Sequence, residues 1–134
     1  MIPSTNDLLS TNLEVIEEPS KNYKMNLTNK FINGNCDELE AMKQVIYKIL
    51  NTERYQYIIY SWNYGIETLD LFGEPVSYVC PEIERRITEA LLQDDRIEAV
   101  DSFEFDYSNK GKVHVKFKVH TIYGDTEQEK VVNY

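Results

Sequence analysis

From Cys80 onward the apolar residues recur at helical spacing, with Ile83, Ile87, Ala90 and Leu91 separated by Glu82, Glu84, Arg85, Arg86, Glu89 and Gln93. This predicts an amphipathic helix that begins at Pro81. The missing proline N–H suits the first helical position, and Glu82 and Glu84 sit at the positive end of the dipole. After Arg96 the pattern turns to alternation. Phe103, Phe105 and Tyr107 alternate with Glu104 and Asp106; past a turn at 108–111, Val113, Val115, Phe117 and Val119 alternate with His114, Lys116, Lys118 and His120. Two antiparallel strands follow, an acidic one beside a basic one, with cross-strand ion pairs expected on the wet face. A second turn at Tyr123, Gly124 and Asp125 leads into a mostly polar third strand, Thr126 to Asn133, read as a sheet edge.

Upstream, Tyr23, Met25 and Leu27 alternate with Lys24 and Asn26, and Phe31 and Ile32 precede Gly34, which suggests a short hairpin. Asp37 followed by Glu40 has the spacing of a capping box, and Leu39, Met42, Val45, Ile46, Ile49 and Leu50 then keep helical spacing, so Glu38 to Leu50 reads as a second amphipathic helix. Five aromatics crowd the stretch from Tyr55 to Gly65 and are expected in core or interface packing. Gly65 to Phe72 is expected to form a short helix around Ile66, Leu69 and Phe72, stopped by Gly73. The fold class is α+β: two amphipathic helices packed on a small antiparallel sheet with a C-terminal three-stranded meander.

A chain of 134 residues is one domain by length. Residues 21–134 carry the periodic elements. Residues 1–20 hold Asp7, Glu14, Glu17 and Glu18 with no Lys or Arg, which marks an acidic N-terminal arm, either solvated and flexible or ordered on a partner. The formal charge of −9 argues against nonspecific binding to nucleic acid or to anionic membrane and favours protein partners. No stretch is long and apolar enough to span a bilayer, and Met1 to Thr5 lacks the look of a signal peptide, so the protein is expected to stay in the compartment where it is made. The two cysteines, Cys36 and Cys80, are far apart and expected as free thiols.

Chemistry is sparse. There is no phosphate-binding glycine loop, nucleophile elbow or His-Glu-x-x-His pair. His114 and His120 lie about 20 Å apart on an extended strand at ~3.3 Å per residue, too far to share a metal. Carboxylate pairs such as Glu67 with Asp70, or Glu53 with Glu74, meet the glycosidase requirement only by chance among 23 acidic residues. No catalytic, cofactor or metal residues are assigned. Asp94, Asp95 and Arg96 are different, because they sit at the joint between helix and sheet. Arg96 there either pins the corner locally or presents its fork to a partner.

Four segments, Asp37 to Gln44, Ile49 to Tyr55, Tyr60 to Gly65 and Arg86 to Ile97, together resemble the baseplate wedge proteins of PBSX-like prophages, a branch of the contractile-tail wedge and sheath-initiator family. The resemblance spans about residues 20 to 133. It implies a structural protein rather than an enzyme, without cofactor, in the baseplate of a virion or tail-like particle assembled in the host cytoplasm. Its implied partners are other wedge proteins, the sheath protein, and tube or hub proteins, with neither nucleic acid nor membrane. The family's Glu-Pro-Arg corner, which contacts the wedge core, matches Asp94, Asp95 and Arg96, with the arginine kept and the proline absent. The resemblance also implies that an edge strand templates the first sheath ring by strand sharing. The expected edge is Thr126, Glu127, Gln128, Glu129, Lys130, Val131 and Val132, and a chain shortened after Gly124 is expected to fold but not to nucleate sheath. The alternatives are a small cell-wall glycan hydrolase and a cytosolic protein-binding module.

Overall fold

The computed structural model describes residues 20–134 of the 134-residue chain; the acidic stretch before Ser20 lies outside the described residues. In chain order come β1 (Asn22–Asn26), β2 (Phe31–Cys36), α1 (Glu38–Leu50), a 3-10 turn (Leu69–Leu71), α2 (Val76–Leu92), β3 (Ile97–Asp106), β4 (Lys112–Thr121) and β5 (Gly124–Asn133). The expected meander is present as one sheet in the order β3-β4-β5, and the expected hairpin as a separate two-stranded sheet of β1 and β2. Both pairings in the meander are antiparallel. The architecture is α+β, as the two periodicities predict.

Alternation places Val113, Val115, Phe117 and Val119 of β4 on the inner face, where all four are buried. Against them pack Met42, Ile46, Ile49 and Leu50 of α1 and Val79, Ile83, Ile87, Ala90 and Leu91 of α2, which together form the core. Each buried Leu or Ile contributes about 1.5–3 kcal/mol, so neither stripe tolerates exposure.

α2 begins at Val76, not at Pro81. Pro75 takes an extended conformation (φ −69°, ψ 149°), and its carbonyl accepts from the N–H groups of Tyr78 and Val79 at 2.9 and 3.1 Å. The buried stripe therefore starts at Val79, and Pro81 lies inside the helix on its exposed side, where it forgoes one backbone bond. At the start of α1, Asp37 accepts from the N–H of Glu38 (2.7 Å) and from the hydroxyl of Ser20. Glu38 has φ 53°, which diverts the cap from the expected box, and Glu40 instead faces Lys24 at 3.7 Å. The carbonyls at the other end of α1 are met by side chains. Asn51 donates to Tyr47 O (2.8 Å), Thr52 to Lys48 O (2.7 Å) and Lys130 of β5 to Leu50 O (2.5 Å).

Three further expectations change. Between Gly65 and Gly73 only the single 3-10 turn forms, because both glycines sit at positive φ and the Glu53 carboxylate caps Thr68 N (2.9 Å) and Leu69 N (3.2 Å). Ile66 and Leu71 are its buried residues, while Leu69 and Phe72 are exposed. Tyr107 falls beyond β3 and is exposed. The register does set Asp101 opposite Lys118 and Glu104 opposite Lys116, but the close contacts of β4 run partly to β5: Lys118 to Asp125 (3.7 Å), His114 to Glu129 (3.0 Å) and His120 to both Asp125 and Asp101 (2.8 Å each). The basic strand lies between two acidic ones.

Candidate functional site

The corner after α2 is tightly closed. Asp94 N–H donates to Leu91 O (3.2 Å), Ile97 N–H to Asp94 O (3.0 Å), and Ile122 N–H to Arg96 O (3.0 Å), which ties the corner to the β4–β5 turn. Arg96 forms a fork on Asp94, with Nε to Oδ1 at 3.0 Å and Nη2 to Oδ2 at 2.8 Å. Burial raises the pKa of the Asp94 carboxyl, and the hydrogen bonds and charge of Arg96 outweigh that, holding it below the usual carboxylate range. Asp95 is exposed. Of the two roles open to Arg96 in the sequence, local pinning is visible in this geometry. The corner also borders a cleft of about 470 Å³ whose wall includes Lys48 of α1 and Ser61, Asn63 and Tyr64.

The seven residues expected to share one binding edge divide by face. Thr126, Gln128, Lys130 and Val132 lie opposite Val119, Phe117, Val115 and Val113 on the inner side, whereas Glu127, Glu129 and Val131 lie on the outer side. Thr126 and Val132 are buried, and the Lys130 pKa is lowered by burial beside the end of α1. Strand alternation in the sequence already carries this division. What the seven share is backbone on one rim of the sheet. The two rims differ: the β3–β4 register shifts between Asp101 and Glu104, with Ser102 at φ 56°, whereas β5 pairs with β4 over ten consecutive residues without a shift.

The carboxylates weighed for hydrolysis are engaged in structure. Glu53 caps the 3-10 turn and accepts from the Thr68 hydroxyl (2.8 Å), Asp70 is forked by Arg86 (2.5 and 3.0 Å), and Glu67 stands 3.9 Å from Arg54; Glu74 is exposed. Cys36 is buried beside Gln44 (3.6 Å), and burial raises the Cys80 thiol pKa. Among the described residues no group of three or more His, Cys, Asp or Glu is placed to hold a metal ion.

His120 is the clearest titrating link in the sheet. Its two ring nitrogens each face a carboxylate, on β3 and on β5, so both contacts are hydrogen bonds only when the ring is an imidazolium. The hydrogen bonds to Asp125 and Asp101 raise its pKa, and the bond from His120 lowers that of Asp101. The raised histidine pKa contributes stability that is full below about 6.5 and lost as pH rises through the folded value; the lowered aspartate pKa contributes above about 3.9 and is lost as pH falls through its own. The melting temperature is therefore expected to decline as His120 deprotonates, in step with its NMR ring shift. In His120→Gln that decline should be absent; a decline of the same size there would assign it to other groups.

The aromatic stretch is not in the core. Ile58, Ile59 and Trp62 are 102, 85 and 82% exposed, and Tyr55 and Tyr57 are also exposed; only Tyr64 packs against the core. The stretch is turns and bends, whose tip carries Ile58, Ile59 and Trp62 out into solvent while its base turns Tyr64 and then Ile66 inward. The loop is nonetheless braced. Arg54 Nε donates to Trp62 O (2.8 Å), its guanidinium lies 4.9 Å from the Tyr55 ring centre, and Tyr60 stacks on Tyr64 at 4.5 Å. Gly65, at φ 94°, lets the return strand approach so closely that a Cβ there would stand 2.5 Å from Thr52 O. Burial raises the Tyr64 pKa, with the charges of Tyr60 and then Asp94 adding to it, which places the loop base beside the corner.

Two similarities to known proteins accompany this geometry. A family model described as contractile injection system sheath initiator matches residues 20–124, from the first described residue to the first residue of β5. The phage-like element PBSX protein XkdS of Bacillus subtilis (strain 168) is 42% identical over 127 residues, which cover 89% of this chain and 86% of that protein.

Proposed function

Because this chain belongs to the contractile injection system sheath initiator family, and is thus a structural component of a phage-type tail, we propose that it acts in the inner baseplate wedge and templates the first sheath ring by sharing an edge strand. Residues 21–134 act as the wedge domain, with residues 1–20 as an acidic arm. The supporting observation is the β5 rim: ten residues in unbroken register with β4, at the outside of a three-stranded sheet, with no strand among the described residues paired to their other side. The bulge at Ser102 makes the opposite rim less regular, so β5 is the edge assigned to sheath. The Asp94–Arg96 corner, which follows the C-terminal end of α2, is assigned to the wedge partner. The protein acts without catalysis or cofactor, in a particle assembled in the host cytoplasm.

Electron microscopy of particles from a host lacking this gene tests the assignment. Tails without sheath, or with missing baseplates, are expected, restored by the native chain. Arg96→Ala is expected to cost about 1–3 kcal/mol of stability, since it leaves the Asp94 carboxylate without its cation, and to fail to enter the particle. Sheathed, complete tails in the deletion host would overturn the assignment.

A further inference from the structure

We propose that the braced loop 55–62 is the anchor of a docking surface continuous with the Asp94–Arg96 corner, and that its occupant is an uncharged apolar pocket on a neighbouring protein of the tail. The proposal rests on the corner's role as a partner contact and adds what fills the interface beside it.

Continuity comes from the shared cleft. Ser61 of the loop, with Asn63 and Tyr64 at its base, lines the same cleft as Lys48, Asp94 and Arg96, so a protein that fills this cleft meets the loop. The loop's apolar side chains point away from its own domain: Ile58, Ile59 and Trp62 are nearly fully exposed, a concentration of large apolar surface that soluble chains avoid unless it is used. The bracing matters as much as the exposure. The Arg54 bond to Trp62 O, the Tyr60–Tyr64 stack, the edge-on Tyr57–Tyr60 contact at 6.2 Å and the tight Gly65 return fix the loop before binding. Less order then remains to be imposed by the partner. Trp and Tyr in a preformed, central patch are the residue types that dominate interface energies.

The charge pattern selects the occupant. From Tyr55 to Gly65 the sequence has no ionisable acid or base other than tyrosine, on a chain of net charge −9. Without Lys or Arg in the tip, an anionic bilayer or a nucleic acid is repelled by the rest of the molecule rather than attracted to the loop. A second copy brings the same −9 and is repelled likewise. A neutral apolar pocket on a different protein meets no such penalty.

The test uses the full chain in the gene-deleted host. A double variant, Ile58→Ser with Trp62→Ser, changes side chains that touch solvent, so its melting temperature is expected to match the native value. Its amount per purified tail, measured by immunoblot, is expected to fall about tenfold or more, as loss of a central anchor does. Native-level incorporation of the variant overturns the loop proposal and leaves the wedge assignment standing. Absence of the native chain from tails overturns the wedge assignment and the loop proposal together. A photoreactive benzoylphenylalanine at position 58 of the otherwise native chain identifies the occupant: a crosslink to another tail protein supports the proposal, whereas a crosslink only to a second copy or to lipid overturns it.

Discussion

A chain ended at Gly124 is expected not to fold. β5 covers β4 over ten residues, Val132 is 2% exposed, and Lys130 reaches across to close the carbonyl end of α1. Removing the strand strips Val113, Val115 and Val119 on one side and leaves β3 and β4 as a two-stranded ribbon, which is marginal in water. Val132 alone is worth about 1.5–3 kcal/mol, and the valines it shelters add to this against a net domain stability of about 5–15 kcal/mol. Circular dichroism should show no cooperative melt. A cooperative melt near the native temperature would mean that β5 is an accessory strand, as the polar look of 126–133 suggests when the sequence is read without its partner strand.

Substitution within β5 therefore separates folding from sheath nucleation better than truncation does. In an antiparallel strand, neighbouring residues direct their N–H groups to opposite sides, one toward β4 and the next toward the free rim. Glu127→Pro and Gln128→Pro form such a neighbouring pair. One of them removes a bond to β4, leaves a β4 carbonyl without its donor and is expected to lower stability by about 1–3 kcal/mol. The other faces the rim, where proline is tolerated; it is expected to fold, to enter the baseplate, and to leave tails without sheath. If the folding variant supports normal sheath, strand sharing at β5 is wrong.

Most of the fold is legible in the sequence because its signals are local and strong. The Ile83 stripe and the Val113 to Val119 alternation each depend on neighbours within a few residues. The start of α2 is not legible in the same way, because Pro81 is a good first residue only when nothing upstream competes, and Pro75 with Val79 supplies an earlier start. The candidate site is less legible. Arg96 stands out, since its place after two aspartates at the end of a stripe is a local feature, but its fork on Asp94 depends on the curl of the corner. The inward turn of Lys130 follows from alternation with Val132; its bond to Leu50 O joins residues 80 apart in sequence, and no local pattern reports it. For the aromatic loop, ring content leaves core and interface packing both open, and only the tertiary course of 55–62, which turns the rings outward, removes the core.

The separation of β1 and β2 from the main sheet has a consequence in time. The hairpin's tie to the rest includes the Gln44 side chain, which donates to Tyr23 O at 2.6 Å and accepts from Met25 N–H at 3.0 Å, and most of its residues are exposed. A unit with so little buried surface opens at a small fraction of the global unfolding free energy. Its amides are expected to exchange with solvent through brief local opening, and those of β4, flanked by β3 and β5 and covered by the helices, to exchange only when the whole domain unfolds. The molecule thus runs on two clocks, a fast one beside the start of α1 and a slow one in the meander, and a partner that grips the hairpin would be felt first by the fast one.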